Sequence, residues 1–168
     1  MRTQPAVGSI LIAGVGNIFL GDDGFGVEVA RRMARRALPE HVRVTDFGIR
    51  GFDLAYALTE DYEAVVLVDA TRRGAVPGTL YALELDPVGD TNGAVETHGM
   101  DPANVLRLVA ALGGRPRRVL LVGCEPSDID AGTEDLTGLS APVEAAVDGA
   151  IEMALSLVAR LREESRDA

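Results

Sequence analysis

Two adjacent carboxylates, Asp22 and Asp23, lie in a glycine-rich turn, Gly14-Val15-Gly16-Asn17-Ile18-Phe19-Leu20-Gly21-Asp22-Asp23-Gly24-Phe25-Gly26, between an apolar run and a helical pattern. A third carboxylate, Asp69, closes the run Ala64-Val65-Val66-Leu67-Val68, and His98 stands just before a helix opening at Asp101-Pro102. Two carboxylates and an imidazole with coordination positions left open suit a divalent cation. The same turn is a poor cradle for phosphate. A dinucleotide fingerprint needs a third glycine three residues after the second, where this chain has Phe19, and a P-loop needs Lys where it has Asp22. Carboxylates at a helix N-terminus already satisfy its dipole and repel phosphate.

Each of these residues also has an ordinary reading. Asp22 reads as the N-cap of the helix that follows, and Asp23 as a charge complementing its dipole. Asp69 could close a turn, and a lone histidine such as His98 is commonly a surface or core residue. His41, in a helix-to-strand loop, reads as exposed and idle. The segment Asp46-Phe47-Gly48-Ile49-Arg50-Gly51 follows the second strand, and Arg50 reads either as a receptor for a peptide carboxylate or as part of a salt-bridged turn. The single cysteine, Cys124, lies in an apolar stretch and reads as a buried small hydrophobe.

The elements that must position these groups follow from apolar patterning. Strands are expected at 9–14, 42–46, 64–69, 79–85 and 118–123, alternating with helices at 24–37, 51–59, 102–112 and 140–163. That alternation predicts a three-layer α/β sandwich, with a twisted, mostly parallel sheet of about five strands and helices on both faces, flavodoxin-like or phosphorylase-like in arrangement. The run 79–85 is a candidate antiparallel edge, and the charged end of the last helix reads as a solvated tail. The stretches 86–99 and 125–138 lack regular patterning and follow strands, where function usually sits. If strands one and three are neighbours, Asp22, Asp23 and Asp69 converge across one crevice at the carboxyl ends of the strands, with His98 folding back over the same edge.

With 168 residues, 47% hydrophobic and 25% charged, the chain reads as one domain, 1–168, able to bury a core. Its net charge of −10 argues against nucleic acid and membrane surfaces and for a cationic or metal-bearing partner. No run approaches the roughly 20 apolar residues of a membrane span. The apolar residues 7–15 run directly into the acidic turn, so they read as a first strand of a cytoplasmic protein.

Taken together, the first glycine-rich motif with Asp22-Asp23, then Asp46 with Gly48 and Gly51, then Asp69-Ala70 and His98, resemble the nickel-iron hydrogenase maturation proteases. The resemblance runs from residue 9 to about residue 160 and includes Pro77-Gly78-Thr79 and Val122-Gly123-Cys124-Glu125-Pro126. It implies an endopeptidase that removes a C-terminal extension from the hydrogenase large-subunit precursor after nickel insertion. It further implies that the substrate's nickel is the recognition element, with zinc or cadmium as substitutes, and that Asp23, Asp69 and His98 form the site with Asp46 as a secondary candidate. An acidic surface on a small core fits a monomer that meets its substrate transiently. Two departures stand out: the second acidic residue, often Glu in the family, is Asp23, and an Asp-Gly-Gly-Thr motif is replaced by one carrying Phe47 and Ile49. Metal-assisted hydrolysis and general-base catalysis by Asp23 or Asp69 both remain open on this reading, as does a nickel-recognising chaperone that does not cut.

Overall fold

The computed structural model describes residues 5–86, 102–127 and 137–168. Five apolar runs form one sheet: β1 (Ile10–Val15), β2 (Val42–Gly48), β3 (Ala64–Ala70), β4 (Leu80–Leu85) and β5 (Val119–Cys124). The strand order is β2-β1-β3-β5-β4, parallel throughout except for β4, which runs antiparallel to β5. Every residue of β1, β3 and β5 is buried, which is why they read as unbroken apolar runs; β4 alternates between half-buried and exposed, as an edge does. The expected fold class and antiparallel edge are both present.

Helices α1 (Phe25–Met33), α2 (Gly51–Ala57), α3 (Pro102–Ala111) and α4 (Ala141–Arg166) cover the two faces, with a 3-10 turn at Gly21–Gly24 leading into α1. Alternate strand residues divide the core accordingly. Ile10, Ile12, Val66, Val68 and Val122 pack with Phe25, Met33, Val147 and Ile151 on the α1/α4 face. Leu11, Ala13, Val65, Leu67 and Leu121 pack with Leu54, Leu58, Val105 and Val109 on the α2/α3 face. Arg32 pairs with Glu28 on its own helix and with Glu144 of α4, and Arg36, just past α1, pairs with Asp148 and Glu152 of α4. Pairs this exposed contribute at most about 1 kcal/mol each, so burial sets the packing.

Three local expectations are corrected. The first helix was expected to reach residue 37, but after Met33 its bonds tighten to the i+3 type, Arg35 N–H to Arg32 and Arg36 N–H to Met33, and the chain turns toward Pro39. The end of α4 is solvated as expected over residues 163–168, but it is helical to Arg166 and held rather than a tail: Leu161 is buried, Arg162 donates to the Gly8 carbonyl at 3.2 Å, and Glu164 pairs with Arg118, which also holds Glu84 of β4. His41 is half-buried, and its Nε2 is enclosed without a hydrogen-bond partner among the described residues. Burial, reinforced by Arg162, holds the imidazole below its ordinary pKa.

The approach of α1 to the sheet depends on Gly26. A Cβ there would lie 2.0 Å from the Val68 carbonyl oxygen and 2.4 Å from that of Val15, both backbone atoms of the strands beneath. Gly26 thus does the close-packing work that a dinucleotide fold assigns to its third glycine, seven residues beyond the Phe19 position where that fingerprint would place it. Gly26→Ala is expected to destabilise the domain by about 3 kcal/mol or more, seen as a collapsed thermal midpoint or loss of soluble protein, because neither strand can retreat without breaking its ladder.

Candidate functional site

Strands β1 and β3 are neighbours, and the chain winds outward in opposite directions from them, so their carboxyl ends flank the switch point where ligands bind in open α/β sheets. Asp69 is the penultimate residue of β3, paired with Gly123 of β5, and continues the alternation of Val65 and Leu67 onto the α2/α3 face. It is only 4% exposed. Burial, and then the negative charge of Asp23, push its carboxyl well above the usual carboxylate range; a bond from the Ala70 N–H offsets part of this. Asp23 is half-buried in the 3-10 turn, where its Oδ2 accepts the Asn17 N–H at 2.8 Å. A Cβ on Gly16 would fall 1.8 Å from the Asp23 carbonyl oxygen, and Gly16 has φ +135°, so only glycine lets the loop close this tightly around the turn.

Asp46 is placed differently. It continues the alternation of Val42 and Val44 toward α1, where its Oδ2 meets Arg31 Nε at 3.2 Å. Its carboxylate therefore faces the opposite side of the sheet from that of Asp69. His98 lies outside the described residues. Among the described residues no group of three or more His, Cys, Asp or Glu side chains is assembled to hold a metal ion. A groove of about 470 Å³ runs along β2, lined by Thr45, Phe47, Arg50, Asp53 and Tyr62, and is separated from Asp69 by β1.

Asp22 does not cap the helix that follows it. The N-cap position of α1 is Gly24, with no side-chain bond. Asp22, 1% exposed, instead accepts three hydrogen bonds from the far end of the chain: Ser140 N–H at 2.7 Å, Ser140 Oγ at 2.8 Å and Ser127 N–H at 2.9 Å. Ser140 is the N-cap residue of α4. The carboxylate thus serves the N-terminus of a helix 118 residues away, satisfying its orphan donor and complementing its dipole.

A third buried carboxylate, Glu125, was read from sequence only as part of the motif 122–126. Burial pushes its pKa up, but the Tyr81 hydroxyl at 2.7 Å and the N–H groups of Arg73 at 2.8 Å and Gly74 at 3.2 Å prevail and hold it below the usual range. The Tyr81 hydroxyl is pushed up to about 12, by burial first and then by Glu125. Arg73 stacks over the Tyr81 ring at 5.3 Å. This latch fixes the loop that leaves β3 after Ala70, one residue beyond Asp69. On the other side of the site Arg50 donates to the Phe47 and Asp46 carbonyls and reaches Asp53 at 3.4 Å, so of its two readings the turn clamp is the one observed. Burial, then Asp22 and Glu125, push the Cys124 thiol up to about 12, which leaves it protonated and unreactive near neutrality.

Residues 27–157 match the family described as HycI, hydrogenase maturation protease. The chain is 36% identical over 154 residues to the hydrogenase expression/formation protein HupD of Rhodobacter capsulatus, covering 90% of this chain and 70% of that one. It is 32% identical over 162 residues to the hydrogenase 2 maturation protease of Escherichia coli K12, covering 95% and 94%. Among solved structures, the hydrogenase maturating endopeptidase HybD from E. coli superposes with a TM-score of 0.72 at 30% identity over 93% of both chains. The maturation protease HycI from Thermococcus kodakarensis superposes with a TM-score of 0.63 at 26% identity, over 92% and 93%.

Two stability measurements follow from this geometry. Asp22→Ala strands the N–H groups of Ser127 and Ser140 and is expected to cost about 3 kcal/mol, a drop of about 6–12 °C in thermal midpoint. Asp69→Asn is expected to raise the midpoint at pH 7 by about 2–4 °C, the effect of roughly 1 kcal/mol in a domain of this size. A carboxyl whose folded pKa is raised is most favourable to the fold below its unfolded value near 4, and loses that contribution as pH rises through the folded value. The advantage of Asn should therefore close as pH falls toward 4; melting curves of both proteins across this range check the sign.

Proposed function

Because the chain belongs to the hydrogenase maturation protease family, we propose that it is the endopeptidase that removes the C-terminal extension of a nickel-iron hydrogenase large-subunit precursor once nickel has been inserted. The observation that carries this reading is the buried Asp69 carboxyl held against Asp23, a pair of like charges at the switch point of the sheet whose repulsion a cation would relieve. Asp23 and Asp69 supply two oxygen donors, and His98 an imidazole, to the ion that the precursor carries; zinc or cadmium suits the same donors. Nickel belongs to the substrate, and an ion at a scissile carbonyl acts as a Lewis acid.

The protein's own groups do the rest. Asp69, with its proton affinity raised by burial, is suited to take a proton from the attacking water and return it to the leaving amine, so that the elements of water add across the peptide bond. Asp23 keeps the pair's negative charge toward the ion, and Asp46, engaged by Arg31, supports the edge from the other face. The enzyme works as a monomer in the cytoplasm, where its −10 charge opposes self-association.

The test is incubation with purified nickel-loaded precursor, read by mass spectrometry. Wild type should shorten the precursor, Asp23→Ala, Asp69→Asn and His98→Ala should each slow processing by about 10²-fold or more, and Cys124→Ser should stay within about twofold. Titration calorimetry with nickel, zinc and cadmium should show weaker binding by His98→Ala than by wild type. A stable complex with the precursor's mass unchanged would replace this reading with a non-cutting, nickel-recognising chaperone.

A further inference from the structure

Among the described residues two enclosed side-chain polar atoms lack a hydrogen-bond partner, and one of them, the Thr71 hydroxyl, stands at the carboxyl end of β3 beside the switch point. Thr71 is 1% exposed. Its N–H donates to the Cys124 carbonyl at 2.8 Å, which carries one step past Ala70 the ladder that the Val65 N–H opens on the Arg118 carbonyl. Residue 71 therefore follows Val65, Leu67 and Asp69 onto the α2/α3 face. The backbone of Thr71 is satisfied and its side chain is not. Valine has the same shape and would fill the position without burying an unpaired hydroxyl, so packing alone does not account for a threonine.

A glycine fixes where the hydroxyl lies. A Cβ on Gly123 would fall 2.7 Å from Thr71 Oγ1 and 3.0 Å from Thr71 Cβ, so the side chain leans back over Gly123, the register partner of Asp69. Neighbouring strands stand about 4.8 Å apart, too far for a direct bond between a hydroxyl over Gly123 and Asp69, and within the span of about 5.5 Å that one bridging water covers. The nearby polar groups are committed elsewhere. Tyr81, whose ring borders the same point at 3.5 Å, gives its hydroxyl to Glu125, and Glu125 also takes the N–H groups of Arg73 and Gly74. Asp69 is itself only 4% exposed, so reaction at its carboxyl requires this edge to open, and an opening that admits water to Asp69 admits it to Thr71.

We propose that Thr71 is a further catalytic residue of this site, whose Oγ accepts one hydrogen of the attacking water while Asp69 takes the other, leaving an oxygen lone pair directed at the scissile carbonyl carbon. No bond to Thr71 forms or breaks: the proton that leaves water passes to Asp69 and then to the departing amine, and the hydroxyl supplies orientation. This inference rests on the endopeptidase reading.

The test is steady-state processing of nickel-loaded large-subunit precursor by Thr71→Val, Thr71→Ser and Gly123→Ala, each with a melting curve. Thr59→Val, which removes an exposed hydroxyl bonded to the Tyr56 carbonyl, is the control. Thr71→Val is expected to melt no lower than wild type and to lower kcat about tenfold or more with KM within about twofold, and Thr71→Ser to recover most of kcat. Gly123→Ala, whose added methyl displaces the hydroxyl, is expected to lower kcat by a similar factor. An unchanged kcat in Thr71→Val, or a loss confined to KM, overturns the role and leaves the endopeptidase reading standing. A lowered melting midpoint with a kcat loss that serine does not restore marks Thr71 as packing and also overturns it. Should Thr71→Val not fold, Gly123→Ala decides: kcat lowered with melting retained supports the role, and kcat unchanged overturns it. Failure of wild type to cut the precursor removes both readings together.

Discussion

The architecture of the site depends on a buried carboxylate that is not itself a candidate for chemistry. Asp22 gathers three donors from Ser127 and Ser140, joining the turn after β1 to the chain leaving β5 and to the N-cap residue of α4. Charge-assisted bonds in so dry a setting are stronger than their count suggests, because each donor they satisfy would otherwise be buried unpaired. The 3-10 turn that carries Asp22 also carries Asp23, so whatever fixes one carboxylate fixes the backbone of the other. Two neighbouring aspartates thus divide the work: one is consumed by structure, and its neighbour is left beside Asp69.

That division sets stability against function within a few residues. Asp22 and Glu125 are buried carboxylates supplied with donors, and both hold the loops around the site in place. Asp69 is buried as deeply, yet among the described residues what bears on its charge is a second carboxylate and a single N–H. The fold carries this strained pair because the apolar core on both faces of β1, β3 and β5 supplies the stability that the pair withholds.

Much of this was legible in the residues because it depends on local pattern. Unbroken apolar runs identified β1, β3 and β5, and the weaker alternation at 79–85 identified the antiparallel edge, since both patterns are direct records of which faces are covered. That the acidic turn and Asp69 meet at one edge followed from taking β1 and β3 as neighbours, while the choice of Asp23 over Asp22 came from the family resemblance. What escaped depends on distant partners. Nothing around Asp22 announces Ser140, and a carboxylate before a helix is ordinarily its cap. Glu125 was read only as part of the motif 122–126, because the groups that bond it belong to another loop and to Tyr81 of β4, and the Arg31 partner of Asp46 lies on α1. Gly26 was visible as a glycine, but the backbone oxygens that require it belong to β1 and β3.

The span of the Asp22 contacts bears on the order in which the molecule can be completed during synthesis. The acidic turn and β3 emerge from the ribosome early, with both candidate carboxylates in hand, but the donors that immobilise the turn arrive only with Ser127, Ser140 and the start of α4. Until then Asp22 remains hydrated and the glycine-rich loop has no reason to close. A nascent chain therefore contains the candidate carboxylates for much of its translation before the contacts that fix their turn can form, and those contacts arrive with the start of α4.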